Sequence, residues 1–176
     1  MLSTLIITMF GPDRPGLVES TASRVAAHGG NWLESRLLHL SGHFTGIVRV
    51  EIPSAQAAAL TAALRLPDAS GLTLVVHEAS ATPAVAPVLG TPATLEVVGH
   101  DRPGIVRALS KILASHGVNV EELSTERISA PMTGEPIFQA RASLTFPSGV
   151  DAATLKQDLE KIASDLMVDV RFGPKK

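Results

Sequence analysis

The sequence predicts an α+β chain made of two ferredoxin-like βαββαβ units, each an antiparallel sheet with both helices on one face. Three observations lead there. Asp13-Arg14-Pro15-Gly16-Leu17-Val18 returns 88 residues later as Asp101-Arg102-Pro103-Gly104-Ile105-Val106, and ten of the 22 positions from Asp13 to Glu34 are identical in the two copies without a gap. Such self-similarity marks a duplicated unit. Each copy also passes through the same succession of apolar patterns, with periods suited to strand, helix, strand, strand, helix and strand. Between them, residues 79–92 are rich in alanine and proline and carry no period, as expected of a semi-extended linker. The expected organisation is therefore residues 1–78, a linker at 79–92, and residues 93–176.

In the first copy, Thr4 to Phe10 is a nearly continuous apolar run, expected to be a strand buried on both faces or central in its sheet. Gly11-Pro12-Asp13 ends it. Pro15 suits the first residue of a helix, where its missing N–H is not needed. Arg14, before a proline, is expected to be extended, with the Asp13 carboxylate aimed at the free helix N–H groups. Leu17, Thr21, Val25 and Ala26 form a helical stripe that stops at His28-Gly29. Asn31 to Leu40 and Phe44 to Ile52 alternate, and Ser41-Gly42 between them signals a tight hairpin. Pro53-Ser54 ends the second of these strands and is expected to cap a helix over Ala55 to Leu66. Leu72 to His77 completes the unit.

The second copy repeats the plan. Ala93 to Gly99 reads as a strand and Pro103 to His116 as a helix with Ile105, Leu109, Ile112 and Leu113 on one face. Val118 to Ile128 and Ile137 to Phe146 follow as strands. Where the first copy has Ser41-Gly42, the second has Ser129 to Pro136, six residues more. Asp151 is placed to cap a helix carrying Leu155, Leu159 and Ile162. Leu166 to Phe172 is the last strand, before a frayed tail from Gly173. The long hairpin reads either as a tolerated surface insertion or as a loop that contacts a partner.

Composition narrows the function classes. Of 176 residues, 45% are apolar and 18% charged, and the formal net charge is −2. This lacks the basic footprint of an autonomous nucleic-acid binder. There are no tyrosines, one tryptophan and five phenylalanines, too few for the aromatic platform with which sheets of this topology bind RNA. No cysteine is present, so disulfides, thiol catalysis and cysteine metal sites are excluded. The start of the chain lacks a charged n-region and no apolar run approaches membrane-spanning length, so a soluble cytoplasmic protein is expected.

The repeated loops are the candidate site. A helix N-terminus presents unpaired N–H groups and the positive end of its dipole, which suits a carboxylate. Gly16 and Gly104 let a ligand lie against the backbone. Asn31 and Asn119 open the next strand and are expected near the loop's edge of the sheet, while Asp13 or Asp101 can receive an ammonium group. Carboxylate and ammonium together describe an amino acid. The same residues also have purely structural uses, as cap, turn formers and a tolerant backbone position.

His28 and His116 fall at equivalent helix ends, where they meet the negative end of the dipole. His39 and His43 flank the hairpin turn without further ligands, so no metal site is expected. His100 takes the place of Pro12 and is a candidate for tuning the second loop. No nucleophile–base order, phosphate-binding loop or paired-carboxylate cluster appears. An acylphosphatase-like enzyme of the same topology needs a longer phosphate-cradling loop than the one duplicated here, so the protein is expected to be non-enzymatic and without a cofactor.

The pattern strand, Gly-x-Asp-Arg-Pro-Gly-Ile/Leu-Val, helix, His-Gly-x-Asn, matched in both copies, resembles the ACT domain, a small-molecule-sensing regulatory module. A tandem pair of this length with this loop is similar to the glycine cleavage system transcriptional repressor family. The resemblance implies amino-acid binding, with glycine as effector, at interfaces between ACT units. It implies action through a protein partner, a DNA-binding activator, without direct contact to nucleic acid or membrane. It assigns the ligand positions to Asp13, Arg14, Pro15, Gly16 and Leu17 with Asn31, and to Asp101, Arg102, Pro103, Gly104 and Ile105 with Asn119. Many ACT loops carry Asn where this chain has Asp13 and Asp101. Because ACT units commonly pair and exposed sheet edges need covering, a homodimer is expected. The competing expectation is an interaction or oligomerisation module without a ligand.

Overall fold

The computed structural model describes residues 1–66, 71–79, 90–131, 133–147, 149 and 151–174. The chain divides into two compact units, Met1–Ala86 and Pro87–Lys176. Residues 80–89 of the expected linker and residues 175–176 of the expected tail lie outside the described residues.

The first unit runs β1 (Leu2–Pro12), α1 (Leu17–Ala27), β2 (Asn31–Leu40), β3 (His43–Pro53), α2 (Ser54–Arg65) and β4 (Thr73–Ala79). Its sheet has the order β2-β3-β1-β4, and each neighbouring pair is antiparallel. β1 is central, yet only one of its faces is covered. Leu5, Ile7 and Met9 are buried, while Thr8 and Phe10 between them are exposed. The buried set meets Val48, Val50 and Ile52 of β3 and Leu74 and Val76 of β4. Val25 of α1 and Ala57, Leu60 and Leu64 of α2 complete one cluster, so both helices lie on the same face. Each fully buried Leu or Ile contributes roughly 1.5–3 kcal/mol, and this apolar layer pins the helices.

Turn chemistry sets the sheet register. Ser41 and Gly42 both have positive φ, 50° and 78°, and Leu40 pairs with His43 across them. Two left-handed central residues match the strand twist of a two-residue hairpin. Between Trp32 and Glu34 the pairing slips by one residue. That bulge bends the edge strand and leaves Leu33 exposed.

The second unit repeats the order with β5 (Gly90–His100), α3 (Ile105–Ser115), β6 (Asn119–Ser129), β7 (Pro136–Pro147), α4 (Ala152–Leu166) and β8 (Val168–Pro174). The sheet order is β6-β7-β5-β8, and the bulge recurs between Val120 and Glu122. Leu95, Val97, Ile105, Leu109, Leu113, Leu144, Leu155 and Leu159 anchor its core, with Ile112 and Ile162 only partly buried against it. Two strands are longer than their apolar patterns suggest. β5 starts at Gly90, where Gly90 pairs with Pro147, and β8 continues to Pro174, opposite Ala93. Backbone pairing holds polar ends that hydropathy does not mark.

Capping differs between the later helices. The Asp151 carboxylate accepts from Ala153 N–H at 2.9 Å and from the Thr154 hydroxyl at 2.6 Å. These bonds, the one from Thr154 foremost, hold its acid constant below the ordinary 3.8. At α2 the expected Pro53-Ser54 cap takes another form: Pro53 is the cap and offers no side-chain bond, while Ser54 is already helical. The Ser54 hydroxyl instead accepts from Ser3 Oγ at 3.0 Å.

Candidate ligand loops

Each repeated motif occupies the bend between the first strand of its unit and the first helix. The helices begin later than the proline rule predicts, at Leu17 and Ile105. Gly16 and Gly104 are the caps, with φ of 92° and 96°. Pro15 and Pro103 therefore shape the turn ahead of the cap. This left-handed backbone is what demands glycine, since a Cβ built at either position meets nothing within 4 Å. The space in front of both caps is open. A glycine cap brings no side-chain acceptor to the first turn, and the Gly16 and Gly104 carbonyls receive Ser20 N–H and Ala108 N–H at 2.9 Å each. Leu17 and Ile105 turn into the cores, so only their backbone can face a ligand.

The aspartates do not cap the helices, contrary to expectation. The Asp13 backbone N–H donates to Gly42 O at 2.9 Å and that of Asp101 to Pro136 O at 3.1 Å. Each motif is thereby tied to the tip of the neighbouring hairpin. With the backbone fixed there, the carboxylates reach over the edge strand. Asp13 Oδ2 lies 3.8 Å from His39 Nε2, and Asp101 Oδ2 lies 2.9 Å from Arg127 Nε. The arginines diverge in the other direction. The Arg14 guanidinium reaches Gly71, just before β4, and Arg102 Nη2 approaches Met167 Sδ, just before β8, at 3.7 Å.

The asparagines stand apart from the loops within each unit, which corrects the expected placement. Asn31 pairs with Glu51, which faces Thr4 near the start of β1. The loop follows Pro12 at the other end, eight residues away along β1, or about 27 Å. Asn119 is likewise level with Thr145 and Pro92, eight residues of β5 away from His100. α1 and α3 carry the chain back along the sheet, so the next strand starts where the first one started. The Asn119 amide donates to Glu121 Oε1 at 2.6 Å.

His28 and His116 are the C-caps of α1 and α3, as their spacing predicts. His28 Nδ1 donates to Arg24 O at 2.8 Å, and His116 Nε2 lies 2.9 Å from Asp158 Oδ2. His43 stacks on Phe10 at 5.3 Å, and His100 stands 4.0 Å from Glu135. Among the described residues no three His, Asp or Glu side chains converge as metal ligands would, and no helix is long and apolar enough to cross a membrane. Motif reading overlooked His39 and Arg127 as partners of the aspartates. They occupy the same position in the two copies, 88 residues apart, so extending the repeat alignment past Glu34 would have paired them.

Comparison with known proteins agrees with this architecture. The family described as the ACT domain matches residues 3–77 and again residues 93–141. The glycine cleavage system transcriptional repressor of Escherichia coli (strain K12) is 27% identical over 165 residues, covering 92% of this chain and 85% of that protein. A UPF0237 protein of Methanopyrus kandleri is 35% identical over 82 residues, 46% of this chain and 83% of its own length. A solved structure of an unknown protein from Galdieria sulphuraria superposes with a TM-score of 0.83 at 27% identity, covering 100% of both chains. The chain belongs to the ACT-domain family, carries two copies of the module, and resembles the glycine cleavage system transcriptional repressor over most of its length.

Proposed function

We propose that this chain is a non-enzymatic, cytoplasmic regulatory protein that senses an amino acid, glycine foremost, and acts on transcription through a DNA-binding protein partner. The observation that carries the reading is the duplicated glycine-capped helix start with open space before it and an aspartate beside it. The first-turn N–H groups and the helix dipole suit a carboxylate, and the aspartate suits an ammonium group. Similarity to a transcriptional repressor supports the regulatory role. A formal charge of −2 favours a protein partner over direct DNA binding.

The asparagine enters the site from a second copy. β2 and β6 are the outer strands of their sheets and run parallel to β1 and β5. Antiparallel pairing of two β2 edges sets Asn31 of one chain beside the Asp13 loop of the other, and covers an edge that would otherwise invite uncontrolled pairing. Asn119 meets the Asp101 loop in the same manner. Ligand that binds one arrangement of the chains more tightly shifts the population that engages the partner. Equal binding to both arrangements regulates nothing.

Thermal denaturation against a panel of amino acids tests this. A ligand at one hundred times its dissociation constant adds about 2.7 kcal/mol, which raises the midpoint of a protein this size by several degrees. If no amino acid moves the midpoint at millimolar concentration, the sensor reading falls and an interaction module without ligand replaces it.

A further inference from the structure

We infer that the two loops are unequal sites: Asp13 receives the ammonium group of the amino acid, whereas Asp101 is already engaged by Arg127. The residue pair His39 and Arg127 sets the difference. This rests on the amino-acid-sensing reading above and assigns it to one loop.

The two aspartates occupy the same backbone position, and each is tied to its hairpin by a backbone hydrogen bond. What differs is the group that each carboxylate meets on the edge strand. Arg127 donates from Nε to Asp101 Oδ2 at 2.9 Å. A guanidinium is always charged, so an arriving ammonium must displace one cation and remain next to it. His39 Nε2 accepts a hydrogen bond from Gly42 N–H at 3.2 Å, so that nitrogen is engaged by the hairpin turn. It faces the Asp13 carboxylate across 3.8 Å, beyond hydrogen-bond distance, whereas Arg127 is in direct contact with Asp101. Asp13 therefore has no hydrogen bond from the edge-strand residue that faces it, and its side chain is 41% exposed to an incoming ligand.

The first turns of the helices differ in charge as well. Glu19 lies in the first turn of α1, and its counterpart in α3 is Arg107. Lys111 follows one turn later, and both basic residues line the cleft that begins at Gly104. At the carboxylates themselves, the guanidinium on Asp101 disfavours a second cation, and among the described residues Asp13 carries no such contact. Exposed ion pairs contribute little to stability. Their sign still decides which charge a ligand can bring.

Titration calorimetry with glycine, on the full chain and on His39→Arg and Arg127→His, tests the assignment. The substitutions exchange exposed side chains, and circular dichroism verifies the fold. The unsubstituted protein is expected to take one glycine per chain. His39→Arg is expected to lose at least tenfold in affinity, and Arg127→His to take two glycines per chain. Two equal sites in the unsubstituted protein overturn the proposal, as does full affinity in His39→Arg. An Arg127→His protein that stays at one glycine overturns the role given to Arg127. Absence of binding by any amino acid to the unsubstituted protein instead defeats the sensor reading itself.

Discussion

The two halves of the chain share a backbone more faithfully than they share side chains. Cap glycines differ by only 4° in φ, the edge-strand bulge recurs at the equivalent residue, and both motif loops are held to a hairpin tip. Side chains diverge at several places around that frame. Thr21 is buried in α1, its hydroxyl donating to Leu17 O at 2.9 Å, where α3 has Leu109. Trp32 packs against the first core. Val120, at the equivalent place, lines an apolar cavity with Val106, Leu123 and Phe138. The uncovered sheet faces contrast as well. Phe10, Leu38, Leu40, Ile47 and Val75 are exposed in the first unit. In the second, Glu96, Glu126, Arg141 and Arg171 line the corresponding surface. Duplication has preserved the geometry of the loops and left their chemical surroundings free to specialise.

The strongest test of a shared frame is at the cores. Leu60 and Leu159 are both 0% exposed, so Leu60→Ala and Leu159→Ala are each expected to cost about 2–5 kcal/mol in urea unfolding. A cost well below this in one alone would show that its helix is not pinned as its counterpart is. Next come the caps. Gly16→Ala and Gly104→Ala place a Cβ in open space but in left-handed backbone, which costs roughly 1–2 kcal/mol. Equal losses on denaturation sharpen the equivalence of the loops, and a twofold disparity breaks it. Filling the cavity beside α3 should move only the second unit. Val120→Ile adds one methylene to an apolar wall at a residue 39% exposed and is expected to stabilise by less than about 0.8 kcal/mol, read as a raised unfolding midpoint.

The smallest effect distinguishes the later helices by pH. The folded protein holds the Asp151 carboxyl below 3.8, first through the Thr154 hydroxyl. A depressed constant means that the capping contribution is present above the unfolded value and is lost as pH falls through the lower folded one. Asp151→Asn is expected to flatten this part of the acid dependence below about pH 3.8. Substituting Ser54, which takes no part in a side-chain cap, should leave the acid profile unchanged.

Much of the architecture was legible because it depends on local signals. Ser41-Gly42 announced a two-residue hairpin, Asp151 announced a helix start, and the repeat carried each reading from one half to the other. The helix starts were misread because Pro-Gly supports two local solutions. Proline favours the first helical position, while glycine alone accepts the left-handed cap, and the cap prevailed. The aspartates were misread for a related reason: the hydrogen bonds that orient them come from Gly42 and Pro136, distant in sequence. Placing Asn31 and Asn119 required following the helix back along the sheet, a step that motif spacing does not encode.

The hydrogen bond from Asp101 N–H to Pro136 O gives the long hairpin a mechanical meaning. In the long hairpin, Ala130 N–H donates to Glu135 O at 2.8 Å and Gly134 N–H to Ala130 O at 2.9 Å. This hairpin is a handle, and Pro136 is where it is fastened to the loop that precedes α3. Pulling the handle away strains or breaks a contact of about 1 kcal/mol at the residue whose carboxylate faces Arg127. In the first unit the corresponding fastening is Gly42, on a two-residue turn too short to grip. The chain thus carries one loop with a lever attached and one without.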